Sequence, residues 1–107
     1  MDAQLKRGSL DVCVLSALVK HDSYGYQLVK DLEGVMDISE STLYPILKRL
    51  EKGEYVRTYS EVSNGRLRKF YAISDKGKKK ILEYLDDFKE LMKVYRYIEK
   101  EVKDYEG

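Results

Sequence analysis

The spacing of hydrophobic residues predicts two helices in the first third of the chain. Apolar residues crowd positions 10–19 too densely for a single stripe, which predicts a mostly buried helix capped by Ser9. A second helix is predicted over residues 24–33, with Gly34 ending it. Its apolar residues recur every four positions, at Tyr24, Leu28 and Leu32. This helix is therefore expected to pack through one face.

Residues 40–52 carry the clearest amphipathic pattern in the chain. Ser39 is the predicted N-cap and Gly53 is the residue expected to end the helix. Its inward face consists of Leu43, Ile46, Leu47 and Leu50. Pro45 lies inside the segment and removes one backbone donor, so we expect a bent helix or an irregular first turn.

A two-stranded hairpin is predicted after this third helix. Residues 55–62 are rich in β-branched and aromatic side chains, and residues 68–73 form the expected return strand, with Tyr71 and Ile73 on one face. Asn64-Gly65 between them is a strong signal for a tight hairpin turn. Ser74 is then the predicted cap of a long final helix.

The predicted order of elements is typical of a winged helix-turn-helix. Three helices, the third amphipathic, are followed directly by a basic hairpin that would form the wing. The predicted fold class is therefore mainly α (α+β). We expect residues 1–74 to form the winged helix-turn-helix DNA-binding domain and residues 75–107 to form a C-terminal dimerisation helix.

The final helix carries a heptad pattern that predicts a homodimer. Two interleaved sets of apolar residues recur every seven positions: Ile81, Phe88, Tyr95 and Val102, and Tyr84, Leu91, Ile98 and Tyr105. A helix of roughly 30 residues is about 45 Å long, more than a domain of this size can cover. Its far half is therefore expected to pack on a second copy. The alternative is that the helix folds back on its own domain.

Charge is concentrated in the middle of the chain. Residues 39–80 hold eleven Lys or Arg against five Asp or Glu, whereas residues 1–38 hold four against six and residues 81–107 five against eight. A local basic surface is what contact with phosphates requires. The candidate DNA-binding residues on the third helix and hairpin are Ser41, Thr42, Tyr44, Lys48, Arg49, Arg66, Arg68 and Lys69. The alternative is a solvated surface on a module that binds another protein and not DNA.

Residues that could support catalysis or metal binding are sparse. His21 is the sole histidine, and Cys13 lies in an apolar run where a small core residue is the ordinary interpretation. We therefore expect no enzyme activity, no metal and no cofactor. No segment approaches the ~20 apolar residues of a membrane span, and residues 1–7 lack the apolar core of a secretory signal. A cytoplasmic protein without a membrane partner is expected.

Three segments of the chain resemble the PadR family of transcriptional regulators, over roughly residues 9–80. They are Tyr24-Gly25-Tyr26-Gln27-Leu28, then Thr42-Leu43-Tyr44-Pro45-Ile46-Leu47-Lys48-Arg49-Leu50-Glu51, and Gly65-Arg66-Leu67-Arg68-Lys69-Phe70-Tyr71-Ala72-Ile73-Ser74-Asp75-Lys76-Gly77. The length of the chain is similar to that of the small subfamily with a single C-terminal helix.

The resemblance implies a function as well as a fold. Members of this family are repressors that dimerise through the last helix, bind pseudo-palindromic operator DNA and are often released by a small aromatic or drug-like effector. In multidrug-sensing small members, an aromatic residue at the dimer centre stacks on flat ligands. Phe88 corresponds to that residue, and with Met92 it is the candidate ligand-binding pair. Those members have tryptophan there, and this chain contains none.

Overall fold

The computed structural model describes residues 3–107, with side chains described from Gly8 onward. The expectation that residues 1–7 form no secretory signal concerns side chains outside this description. The elements follow the order α1 (Ala3–Ala17), β1 (Ser23–Tyr24), α2 (Gly25–Asp31), α3 (Glu40–Lys52), β2 (Val56–Ser63), β3 (Arg66–Ile73) and α4 (Asp75–Glu106). The predicted winged-helix fold, with its long last helix, is confirmed.

The first helix is longer than predicted. α1 begins at Ala3, not at residue 10, and ends at Ala17, so Ser9 lies inside the helix and does not cap it. The extra segment is mostly Ala, Gln, Leu, Lys and Arg, which are strong helix formers even without an apolar stripe. The prediction failed here because it relied on hydrophobic spacing and a cap signal.

The second helix is shorter than predicted, and a small strand precedes it. α2 covers only Gly25–Asp31, while Ser23 and Tyr24 form β1 and pair with Tyr71 and Phe70 of β3. The result is a three-stranded antiparallel sheet in the order β1-β3-β2. The ring of Tyr24 meets that of Phe70 edge-on, with centroids 5.3 Å apart. A two-residue strand has no periodicity of its own, so the sequence pattern did not indicate it.

α3 forms with the predicted bounds. The Ser39 hydroxyl accepts a hydrogen bond from the backbone amide of Thr42 at 3.3 Å, which is the predicted N-cap. Pro45 does not interrupt the helix, which runs continuously from Glu40 to Lys52. The proline lies on the exposed side, and the carbonyl that it leaves unpaired belongs to exposed Ser41.

The wing is a regular hairpin. β2 and β3 pair from Val56 opposite Ile73 to Ser63 opposite Arg66, so β3 begins two residues earlier than predicted. Asn64 and Gly65 both have positive φ, 54° and 76°, as the predicted tight turn requires.

One core joins the three short helices to the base of the sheet. The four inward residues predicted for α3 are all buried, and so are Tyr71 and Ile73 on the inner face of β3. The largest fully buried side chains of this core are Val14, Leu15, Leu18, Leu28, Leu43, Leu47 and Leu50. Cys13 packs at the edge of this core, as a small apolar residue would.

α4 starts on this domain and extends away from it. The Ser74 hydroxyl accepts a hydrogen bond from the amide of Gly77 at 3.1 Å, which confirms the predicted cap. Ile81 packs against the core, but the rest of the 32-residue helix projects outward, and the molecule is 63 Å long. Within residues 3–107, no helix is both long and apolar enough to cross a membrane.

Candidate nucleic-acid interface

The N-terminal half of α3 presents hydroxyl groups on an exposed face. Ser41, Thr42, Tyr44 and Lys48 are all exposed. The Ser39 hydroxyl lies 2.9 Å from that of Ser41 and 3.2 Å from that of Thr42. These groups surround the first turn of the helix, where unpaired backbone amides carry partial positive charge. This end of α3 is therefore suited to meet an anion such as a phosphate.

Tyr44 is held in a defined position between two helices. Its hydroxyl donates to the carboxylate of Glu40 at 3.2 Å. Its ring lies against Gly25, because a Cβ built on that glycine would be 2.8 Å from the Tyr44 oxygen and 3.0 Å from the ring. Two helices thus pack closely at Gly25. Partial burial, followed by the bond to Glu40, raises the pKa of the Tyr44 phenol.

Arg49 differs from the other candidate DNA-binding residues on α3 because it is bonded to a carboxylate of α1. Its guanidinium donates two hydrogen bonds to the carboxylate of Asp11, one of them from Nε to Oδ2 at 3.4 Å. Asp11 is only 8% exposed and belongs to α1. The charge of Arg49 is therefore partnered within the chain, and contact of Arg49 with DNA stays a prediction.

The three candidate cations of the wing have different surroundings. Arg66, next to the turn, is exposed. Arg68 donates from Nε to the carbonyl of Ser63 at 3.2 Å, and its guanidinium lies 4.3 Å from the centre of the Tyr24 ring. Both contacts hold the Arg68 side chain against the sheet. Among the described side chains, Gly8 onward, Arg66 has no hydrogen-bond partner and can reach a ligand, while Arg68 is held in place.

The third wing cation, Lys69, connects β3 to α3. Its ammonium donates to the carboxylate of Glu51 at 3.1 Å, and the Thr58 hydroxyl donates to the other oxygen of that carboxylate at 3.1 Å. The bond from Lys69 lowers the pKa of Glu51, and the same bond raises the pKa of Lys69. Both groups are charged over the whole neutral range, so this pair fixes the wing beside α3.

A cleft of about 450 Å³ separates α3 from the wing. Its walls carry both phenol rings and cationic side chains. They are formed by Tyr24, Gly25, Tyr26, Glu40, Tyr44, Arg66, Leu67, Arg68, Lys69 and Tyr71. Hydroxyl donors and cations at one surface are the groups that bind phosphate oxygens. The structure thus brings Tyr44 together with all three wing candidates. The other candidates on α3 do not line the cleft: Ser41, Thr42, Lys48 and Arg49.

Several lining residues were not among the predicted site residues. Tyr24, Tyr26 and Glu40 line the cleft although none was a predicted site residue. The unusual triplet Tyr24-Gly25-Tyr26 was the available signal, because it could line a pocket or allow close packing at Gly25. The structure shows both features, because the Tyr44 ring packs against Gly25 and the two flanking tyrosines line the cleft.

The predicted dimerisation residues divide into two groups. Ile81 packs on the domain core and Tyr84 bonds to Ser9 of α1, so both are used within the chain. The outer residues are 45–55% exposed: Phe88, Leu91, Tyr95, Ile98 and Val102. Phe88 stacks on Tyr84 with ring centroids 6.0 Å apart, and Met92 is half-buried. The outer part of α4 therefore presents apolar side chains that this chain does not cover.

Comparison with known proteins identifies relatives of this fold. The model of the transcriptional regulator PadR-like family matches residues 14–83. A Streptococcus transcriptional regulator superposes with a TM-score of 0.81 at 29% identity, covering 92% of this chain and 99% of that one. A PadR family transcription regulator from hypervirulent Clostridium difficile gives 0.76 at 28% identity, over 83% and 96%. Bacillus subtilis PadR in complex with operator DNA gives 0.66 at 22% identity, over 72% of this chain and 46% of that one, and so shares the fold.

Proposed function

The chain belongs to the PadR-like family of transcriptional regulators, and from this premise we propose that it is a homodimeric repressor that binds operator DNA. α3 would enter the major groove, with Ser41, Thr42, Tyr44 and Lys48 facing base edges and phosphates. The wing would place Arg66 on the adjacent backbone or in the minor groove. The operator would be pseudo-palindromic, because a two-fold dimer presents two identical reading surfaces.

The observation that supports this proposal most is the composition of the cleft between α3 and the wing. Three cations and the phenol of Tyr44 line the same 450 Å³ space, beside the hydroxyl cluster at the start of α3. Lysine is depleted at protein–protein interfaces and arginine is not, so of the three cations Lys69 is the one that argues against an apolar partner protein. A phosphate backbone accounts for the cations and the hydroxyls together.

The dimer would form through the outer part of α4. Five apolar side chains in heptad positions are 45–55% exposed there, and pairing two such helices would bury them. Two copies joined along α4 would carry their α3 helices to half-sites about one helical turn of DNA, or roughly 34 Å, apart.

Release by an effector is the remaining part of the proposal. Phe88 and Met92 lie on the stretch of α4 that would form the dimer centre. A flat aromatic molecule placed between the two Phe88 rings would gain stacking energy only in the dimer. We therefore expect planar aromatic dyes to bind the dimer and Phe88→Ala to weaken that binding while the dimer survives. Unchanged dye binding by the variant would remove Phe88 from the proposed effector site.

The wing gives the sharpest test of DNA binding. Replacing Arg66, Arg68 and Lys69 together by Ala should weaken binding to all DNA sequences and reduce the slope of log K against log salt by up to about five, because each dimer loses the cations of two wings. Arg57→Ala is the matched control, because Arg57 is an exposed cation of β2 about 20 Å along the strand from the wing turn. The measurement is a mobility shift with the chain's own upstream DNA at several salt concentrations. Unchanged affinity and slope in the triple variant would contradict the proposed interface.

A further inference from the structure

α1 contacts both α4 and α3 through specific polar side chains. We propose that the Ser9–Tyr84 and Asp11–Arg49 contacts set the angle between α4 and α3, and thereby the half-site spacing that the dimer accepts on DNA. This inference rests on the proposed function and deepens it. It assigns Ser9, Asp11, Tyr84 and Arg49 as positioning residues for sequence recognition.

The first contact fixes α4 to α1. The hydroxyls of Ser9 and Tyr84 are 2.6 Å apart in a half-buried setting. The Tyr84 ring also lies over Gly8, where an added Cβ would be 4.0 Å from the ring carbon Cε2. The same ring stacks on Phe88, with centroids 6.0 Å apart. Tyr84 therefore fits between the winged-helix domain and the exposed stripe of α4, where a second copy would pack.

The second contact fixes α1 to α3. Asp11 is buried to 8% exposure, and its carboxylate receives both hydrogen bonds from Arg49. A buried carboxylate needs such a partner, because leaving it unpaired is costly. Arg49 lies near the C-terminal end of α3, one residue after Lys48, and its guanidinium turns to α1. The pair thus controls the rotation and tilt of α3 from the end opposite the hydroxyl groups of Ser41 and Thr42.

The two contacts point in opposite directions from α1. Ser9 and Asp11 are two residues apart in a helix, and side chains at that separation do not share a face. α1 is accordingly placed between α4 on one side and α3 on the other. A change in the position of α4 is transmitted to α3 through two short polar contacts and a rigid helical segment.

Small rotations at these contacts are large on the scale of DNA. Over about 20 Å, the length of a 13-residue helix, a rotation of about 10° moves the far end by about 3.5 Å. That displacement is close to the rise of one base pair, about 3.4 Å. In a two-fold dimer the displacement occurs at both half-sites. Fixing the angle therefore determines which spacing both copies of α3 can occupy at once.

The test compares spacing profiles on DNA selected by the wild-type protein from a random pool. The best site is rebuilt with its half-sites moved one and two base pairs closer and farther apart. Tyr84→Phe removes only the hydroxyl that meets Ser9, and Ser9→Ala removes the same bond from a residue outside both proposed interfaces. Tyr97→Phe is the matched control, because Tyr97 is 67% exposed on α4.

We expect Tyr84→Phe and Ser9→Ala to reduce the preference for the optimal spacing over its one-base-pair neighbours by about fivefold, the worth of one hydrogen bond. Affinity for an isolated half-site should be unchanged in both variants and in Tyr97→Phe. A purely structural role would lower the melting temperature and affinity at every spacing alike. Wild-type spacing profiles in both variants would overturn the inference and leave the proposed function intact, whereas failure of the wild type to bind any selected DNA would overturn both.

Discussion

At the scale of single residues, Gly25 and Tyr44 form the least replaceable contact of the candidate interface. The glycine begins α2, and the phenol of α3 occupies the space that any larger side chain would need. The Tyr44 hydroxyl is also held by Glu40, so the ring has a fixed position beside the wing cations. The arrangement places an exposed aromatic side chain without leaving it free to rotate.

Gly25→Ala should displace Tyr44 and lower the free energy of unfolding. The new Cβ would lie 2.8–3.0 Å from the Tyr44 side chain, so the ring must move, and overpacking of this kind costs about 1–3 kcal/mol of unfolding free energy. Without Tyr44 the same change should not be destabilising, because the clash is gone and alanine has the higher helix propensity. Chemical denaturation of Gly25→Ala, Tyr44→Ala and the double variant measures this coupling. Additive effects would mean that the two residues do not constrain each other.

At the scale of elements, local sequence predicted those parts of the fold that depend on local signals. α3 has its predicted bounds because Ser39, its four inward apolar residues and Gly53 all act within the segment itself. β1 was missed because Ser23 and Tyr24 become a strand only by pairing with β3, nearly fifty residues later in the chain. Tertiary pairing of this kind leaves no periodic pattern in two residues.

The sequence predicted the exposed residues of the candidate interface but not the partners of its cations. Exposure of Ser41, Thr42 and Tyr44 follows from helical periodicity alone. The partners of the cations do not, because Arg49 finds Asp11 across 38 residues and Lys69 finds Glu51 across 18. A positive charge in the sequence indicates a capacity to bind an anion. Only the fold decides whether that anion is a phosphate or a carboxylate of the same chain.

The pair of Lys69 and Glu51 joins two elements, and its contribution should depend on pH. The Lys69 bond lowers the folded-state pKa of Glu51 below its ordinary 4.5, so the stabilisation is present above that value and is lost as the pH falls through the folded-state pKa. The folded-state pKa of Lys69 is raised above its ordinary 10.5. The same stabilisation is therefore present below 10.5 and is lost as the pH rises through the folded-state pKa of Lys69. Between these limits the pair is intact.

Glu51→Gln should therefore lower the unfolding free energy at pH 7 by about 0.2–1 kcal/mol, the usual worth of an exposed ion pair. The difference from wild type should shrink as the pH is lowered toward 3, because the wild-type carboxylate then becomes protonated. Urea denaturation at pH 7 and at low pH measures both values. Glu61→Gln, a change at an exposed carboxylate of β2, is the control. A difference that stays constant across this range would contradict a pair that titrates.

At the scale of the whole molecule, α4 is much longer than its own domain requires. Its first turns pack on the domain through Ile81 and Tyr84, while the remainder presents the exposed stripe of Phe88, Leu91, Tyr95, Ile98 and Val102. Contiguous apolar residues in solvent are unfavourable, and a long helix with heptad spacing covers them best with a second helix. The same stripe lies next to Tyr84, so dimerisation through it would be physically coupled to the position of the winged-helix domain.

Ile98→Asp should therefore separate the dimer into monomers. Ile98 is 55% exposed in the single chain and would be buried between two α4 helices, where an unpaired carboxylate is strongly unfavourable. We expect the dimer affinity to fall by more than about tenfold, which corresponds to roughly 1.4 kcal/mol.

Tyr97→Asp introduces the same charge at a 67% exposed position outside the heptad sets and should leave the dimer intact. Sedimentation velocity should give about twice the 12.5 kDa chain mass for the wild type and for Tyr97→Asp, and the chain mass for Ile98→Asp. Equal dissociation of both variants would place the seam on another face of α4, and a wild-type chain that sediments as a monomer would contradict the dimer itself.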